Sequence, residues 1–116
     1  MAGIRVKRVY EEPAASDGFR VLVDRLWPRG LTKAAARIDF WAKDIAPSTE
    51  LRRWYHANRS AWTEFRTRYL AELKGQHDTL KALLVHAEGR PITLLYGAKD
   101  SEHTHASMLK GILERS

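Results

Sequence analysis

Two short runs concentrate the side chains of this chain that can do chemistry. The first is Asp24-Arg25-Leu26-Trp27-Pro28-Arg29-Gly30, with Lys33 close behind. The second is Tyr96-Gly97-Ala98-Lys99-Asp100-Ser101, followed by His103-Thr104-His105. Arg25 and Arg29 carry guanidinium forks suited to two-point contact with phosphate or carboxylate, and Lys99 adds a point charge. His103 and His105 belong to the one side-chain type that titrates near physiological pH without perturbation, so either can act as acid or base. Asp24 is placed to orient a histidine or arginine, or to serve as the base itself. The expected catalytic residues are therefore Asp24, His103 and His105, and the expected ligand-binding residues are Arg25, Trp27, Arg29, Tyr96 and Lys99. Each has a structural counterpart: Asp24 and Arg25 can form an ion pair at a strand end, Trp27 can supply buried area, and Asp100 or Ser101 can cap the last helix.

Several other chemistries lack their residues. Residues two apart on a helix do not share a face, and catalytic zinc wants three protein ligands, so His103 and His105 imply no metal. Gly97-Ala98-Lys99 lacks the spaced glycines of a phosphate-binding loop, and no Gly-x-Ser-x-Gly elbow occurs. The chain contains no cysteine, which excludes disulfides and thiolate nucleophiles. No cofactor is expected. His56, His77 and His86 fall in helical or connecting segments and read as surface residues.

The elements that must position the two runs follow from hydrophobic periodicity. Ile4 to Tyr10 alternates apolar and basic residues, a period-two strand. Phe19 to Leu26 is β-branched and largely apolar, as expected of a strand buried on both faces, and Pro28 and Gly30 stop it. Thr32 to Arg37 allows one helical turn, and Ile38 to Ile45 contains a short edge strand at most. Ser48 is the expected N-cap of a helix carrying Leu51, Trp54 and Tyr55. Trp62, Phe65, Tyr69, Leu70 and Leu73 form an amphipathic stripe that Gly75 ends. Leu80, Leu83, Leu84 and Ala87 define another helix, Ile92 to Tyr96 a second buried strand, and the last helix runs from about Ser101 to Glu114. Strands separated by long helices imply parallel pairing through crossovers. The expected fold is a small α/β domain spanning residues 1–116, a mostly parallel sheet flanked by helices in flavodoxin- or Rossmann-like layers. Ligands bind at the carboxyl ends of such strands. The two runs meet in one cleft only if their strands are parallel neighbours, and strand order is open at this stage.

With 116 residues, 44% of them hydrophobic, the chain has room for one core and no second domain. No apolar run approaches a membrane span, and the start of the chain has no signal-peptide layout, so a cytoplasmic protein is expected. Twenty Lys and Arg against fourteen Asp and Glu give a net charge of +6, which favours anionic partners. Three readings compete. The leading one is a cleft for a phosphate- or carboxylate-bearing small molecule, with a histidine for proton transfer. The second is a nucleic-acid binder using Arg52, Arg53, Arg59, Arg66 and Arg68 interleaved with Trp54, Tyr55 and Trp62. That mixture is also what the solvated side of two amphipathic helices looks like, with Arg stems covering aromatic edges. The third is a protein-interaction module built on the same Trp-rich helices.

Val21-Leu22-Val23-Asp24-Arg25-Leu26-Trp27-Pro28-Arg29-Gly30, Ala46-Pro47-Ser48 with Leu51, Arg52 and Trp54, and Leu95-Tyr96-Gly97-Ala98-Lys99-Asp100 with His103 and His105 together resemble the YeaO-like bacterial proteins, the domain-of-unknown-function group numbered 488. The resemblance covers nearly the whole chain. It implies a site built from Asp24, Arg25, Lys99 and His103 or His105, and it implies no particular reaction. Longer relatives carry Asp-Val-Arg where this chain has Val23-Asp24-Arg25, and Cys-His-Arg where it has His103-Thr104-His105, so thiol chemistry does not transfer. Close relatives often read His-Asn-His in that last run, and here Thr104 stands in place of the amide.

Overall fold

A computed structural model describes residues 3–98 and 104–115. Four strands form one parallel sheet: β1 (Ile4–Arg8), β2 (Phe19–Leu22), β3 (Phe40–Trp41) and β4 (Ile92–Tyr96), in the order β1-β4-β2-β3. The helices are α1 (Lys33–Ala36), α2 (Thr49–Ala57), α3 (Trp62–Leu73), α4 (His77–Ala87) and α5 (His105–Glu114). This is the small α/β class expected, with every strand pair parallel.

The register sorts the side chains onto two faces, because successive residues of a strand point to opposite sides. Ile4 pairs with Ile92 and Val6 with Leu94 on one side of β4, while Phe19 pairs with Ile92 and Val21 with Leu94 on the other. These residues face α2 to α5, where Leu51, Phe65, Tyr69, Leu83 and Leu109 complete the main core. The opposite face carries Leu22 and Leu95, covered by Trp27, Leu31, Ile38 and Trp41 from the segment around α1.

That second face also holds a buried charge cluster. Arg20, the second residue of β2, is only 4% exposed and pairs with Asp17, which is 3% exposed. Its Nε and Nη2 donate to the carbonyls of Arg37 (3.0 Å) and Ala36 (2.8 Å). Asp17 also accepts from Ala14 N and Lys7 Nζ, and its carbonyl accepts from Thr93 Oγ1. A buried charge is tolerated only when paired and hydrogen-bonded, as this one is.

Local sequence explains the element ends, with two departures from expectation. The second strand stops at Leu22 rather than Leu26. Val23 N still donates to Leu95 O, but beyond it no neighbouring strand continues the ladder, and Leu26 is 65% exposed. Gly75 does not end the helix stripe sharply. A 3₁₀ turn, Lys74–Gln76, leads directly into α4. The cap of the last described helix is Thr104, whose Oγ1 accepts from Ser107 N, while Asp100 and Ser101, the expected caps, lie outside the described residues. By contrast, Ser48 caps α2 as its sequence position predicts, accepting from Leu51 N at 3.1 Å. Among the described residues, no helix is long and apolar enough to cross a membrane.

Candidate functional site

β2 and β4 are parallel neighbours, so the chain segments leaving their carboxyl ends come together. Asp24 follows β2 and Gly97 follows β4. Gly97 N donates to Asp24 Oδ2 at 2.8 Å, which ties the two exits to each other. A Cβ at position 97 would lie 3.2 Å from that same oxygen, so glycine allows the approach. Arg8, at the end of β1, holds the β4 exit from the other side through the carbonyls of Ala98 and Gly97. The Asp24 carbonyl accepts from Trp41 Nε1 at 2.7 Å. Asp24 is thus fixed at both its main chain and its side chain.

His105, the first residue of α5, completes this cluster. Its Nε2 lies 2.8 Å from the Val23 carbonyl and 3.1 Å from Asp24 Oδ1. A carbonyl only accepts, so Nε2 carries the proton. In the neutral ring Nδ1 then keeps its lone pair, without a partner among the described residues. Tyr69 packs edge-on against the imidazole, with ring centroids 6.0 Å apart. Burial, with the nearby charges of Glu72 and Asp24, pushes the Tyr69 phenol well above its ordinary pKa, so it remains a donor to the Ile45 carbonyl.

These groups form one wall of a cavity of about 510 Å³. α2 and α3 form the other. Arg52, Tyr55 and His56 lie at offsets 0, 3 and 4 on one face of α2, Arg59 follows on the turn after the helix, and all four line the cavity. Asn58 stops α2 by donating from Nδ2 to Trp54 O, and a tight turn starts α3, whose Trp62 and Phe65 extend the same wall. The α2–α3 angle is fixed by Glu72, which accepts from both Ser48 N and Ser48 Oγ.

The cavity is electropositive. Arg25, Arg52 and Arg59 line it, and among the described residues Asp24 is the only carboxylate that does. Arg25 is not paired with Asp24. Its Nε and Nη2 donate to the carbonyls of Pro47 (3.2 Å) and Ala46 (3.1 Å), which hold the guanidinium at the cavity floor. The Arg52 and Arg59 side chains have no hydrogen-bond or ion-pair partner among the described residues. A cavity of this size with converging cations suits a small anionic ligand. Among the described residues no three His, Asp or Glu side chains converge as metal ligands.

The site therefore differs in membership from the sequence-based expectation. Asp24, Arg25 and His105 come together. Trp27 lies on the opposite face, edge-on to Trp41 and donating to Leu31 O. Arg29 is exposed and away from the cavity lining, and its carbonyl accepts from the Tyr10 hydroxyl. Tyr96 is buried in the main core. Lys99 and His103 lie outside the described residues. Arg52, Tyr55, His56, Arg59 and Trp62 are the additions, and the sequence signal for them is the helical spacing of Arg52, Tyr55 and His56. The basic helical surface itself divides, since Arg68 leaves the cavity and stacks over Trp54 at 4.2 Å.

Comparison with known proteins matches nearly the whole chain. Residues 3–116 match the family described as the inactive DUF488-N3 subclade. The uncharacterized protein YeaO of Escherichia coli K12 is 47% identical over 106 residues, covering 91% of this chain and 92% of the relative. The uncharacterized protein Rv3073c of Mycobacterium tuberculosis H37Rv is 43% identical over 112 residues, covering 95% of this chain and 92% of the relative. No solved structure matches the chain. Matched along almost its whole length by both the family and these relatives, the chain belongs to the YeaO-like DUF488 family.

Proposed function

We propose that this protein is a cytoplasmic binder of a phosphate- or carboxylate-bearing small molecule, held in the cleft at the carboxyl ends of β2 and β4. The observation that carries the reading is the charge of the cleft: three guanidiniums line it, and the one described carboxylate is already occupied by Gly97 N–H and His105. Arg52 and Arg59 supply the anion contacts, and Arg25 adds its charge from the floor. Asp24 and His105 hold the floor in shape. The arrangement supports binding over turnover. The proton on His105 Nε2 is committed to Val23 O and Asp24, the chain has no cysteine, and the subclade is described as inactive.

A thermal-shift series with phosphate, sulfate and small carboxylates tests this on the parent chain and on Arg52→Ala/Arg59→Ala. A ligand at a hundred times its dissociation constant adds about 2.7 kcal/mol to stability. The expected result is a shift in the parent that is lost in the double variant. An equal shift in both proteins, or none in either, defeats the proposal.

A further inference from the structure

One titratable side chain of the cleft has no part in its frame. His56 lines the cavity from the last turn of α2, is exposed, and has no hydrogen-bond or ion-pair partner among the described residues. Arg52 precedes it by four residues, so the two side chains are neighbours on one face of the helix. Arg59 reaches the same cavity from the turn after α2, and Tyr55 brings a hydroxyl beside them. Across the cavity, Asp24 is taken by Gly97 N–H and His105, and Arg25 by the carbonyls of Ala46 and Pro47. With both histidines neutral, three guanidiniums against one carboxylate leave two uncancelled positive charges on the described lining. That excess matches a doubly charged ligand. The attraction of one more cation for the ligand also doubles when the ligand charge doubles.

We infer that the ligand is a doubly charged oxyanion of the phosphate-monoester or sulfate kind, and that His56 contacts it as an imidazolium, so that the anion enters together with a proton. The inference rests on the anion-binding reading and narrows it. Histidine is the side chain whose charge ordinarily changes between about pH 5 and 8. A proton held more tightly in the complex than in the empty cleft makes affinity rise as pH falls, and by reciprocity the anion draws the proton on. His105 also lines the cavity, but its Nε2–H already serves Val23 O and Asp24. Its ring belongs to the frame, and His56 is the histidine left for the ligand.

Calorimetric titration of the full chain with sulfate, at constant ionic strength from about pH 8 to about pH 5.5, tests this. Sulfate keeps both charges over that range, whereas a phosphate monoester has its second ionisation near about pH 6. In the parent, sulfate affinity is expected to rise about ten-fold on acidification, the worth of one more hydrogen bond to a charged group. Buffers of different ionisation enthalpy should report up to about one proton taken up per sulfate. In His56→Gln the rise shrinks to less than about three-fold, while binding at the alkaline end and the urea midpoint stay as in the parent. His105→Gln keeps the rise. A flat profile in the parent, a full rise in His56→Gln, its weaker binding already at the alkaline end, or loss of the rise in His105→Gln overturns the role of His56 and leaves the anion cleft standing. Nitrate, a singly charged oxyanion, is expected to bind at least about ten-fold more weakly than sulfate, and equal binding overturns the double charge. Absence of sulfate binding at every pH removes the anion-binding reading as well.

Discussion

At the start of the strands, Asp17 and Arg20 place a carboxylate and a guanidinium together in the interior. At the end of the strands, Asp24 and Arg25 place the same two chemical groups together beside a cavity. The first pair is closed. Arg20 donates to Asp17, Arg37 O and Ala36 O, and Asp17 accepts from Ala14, Lys7 and Arg20. The second pair is not a pair at all, because Asp24 turns to Gly97 and His105 while Arg25 turns to backbone carbonyls. A closed network offers nothing to a ligand and fixes the fold. An open one, with Arg52 and Arg59 across the cavity unpaired among the described residues, keeps charge available. Function is to be sought where charges are positioned but not mutually cancelled.

The contrast predicts opposite responses to substitution. Asp17→Ala removes one member of the buried pair and strands Arg20, which is expected to cost about 3–5 kcal/mol in urea unfolding. Loss of less than about 1 kcal/mol would mean that the cluster is dispensable. The same carboxylate controls acid stability. Burial alone would raise its pKa, but hydrogen bonds from Ala14 N–H, Lys7 and Arg20 outweigh burial and hold it below the ordinary aspartate value. A depressed folded-state pKa contributes stability that is present above the unfolded value, about 3.9, and is lost as pH falls through the lower folded value. The urea midpoint of the parent should therefore drop below about pH 4, and the drop should flatten in Asp17→Asn.

Gly18→Ala is the next largest perturbation. Gly18 has φ +67, and an added Cβ would come within 2.3 Å of the Pro91 carbonyl oxygen, which is backbone and cannot swing away. A cost of about 2–3 kcal/mol is expected, with no change in affinity for ligands at the far end of the sheet. Coupled loss of binding at full folding would break the separation of the two ends. Arg59→Ala should do the reverse. Its stability should stay within about 0.5 kcal/mol of the parent, because the guanidinium has no partner to lose among the described residues. Its affinity for phosphate should fall by about 1.5–3 kcal/mol, the worth of a hydrogen bond to a charged group. Chemical unfolding and calorimetry on one preparation separate these outcomes.

Sequence reading located the strands and helices well where periodicity was strong, as for Ile92 to Tyr96 and the Trp62 to Leu73 stripe. It placed Asp24, Arg25 and His105 beside one another on the condition that β2 and β4 are parallel neighbours. Pairing is non-local, and no local pattern encodes strand order, so the condition had to come from the sheet itself. Trp27 and Arg29 were assigned to the cleft by proximity in the chain, but the strand ends at Leu22 and the following turn carries Trp27 to the other face. The buried Arg20 escaped notice because Phe19 to Leu26 is apolar overall. A guanidinium set between Phe19 and Val21-Leu22-Val23 is the signal that a carboxylate must lie close by, and Asp17 supplies it. Arg52 and Arg59 were visible as part of a basic helical surface, but their separation from Arg68 depends on which helical face meets the sheet edge.

The smallest expected effect tests whether His105 is a strut or a proton carrier. Its Nε2–H serves Val23 O and Asp24 Oδ1, so a replacement that keeps a donor near that point should be tolerated. Glutamine extends an amide N–H to about the reach of Nε2, whereas leucine leaves the carbonyl and the carboxylate oxygen without a donor. His105→Leu should then cost about 1–2 kcal/mol, the penalty for unsatisfied polar groups at a half-buried site, and His105→Gln no more than about half of that. Phosphate affinity should follow stability, nearly parental in the glutamine variant and weaker in the leucine variant, where Asp24 is free to shift towards the anion and repel it. If glutamine keeps the fold but abolishes binding, the contribution of His105 lies in Nδ1 or in the charge of the ring. The open end of the sheet would then be a site for proton transfer rather than a rigid anion cradle.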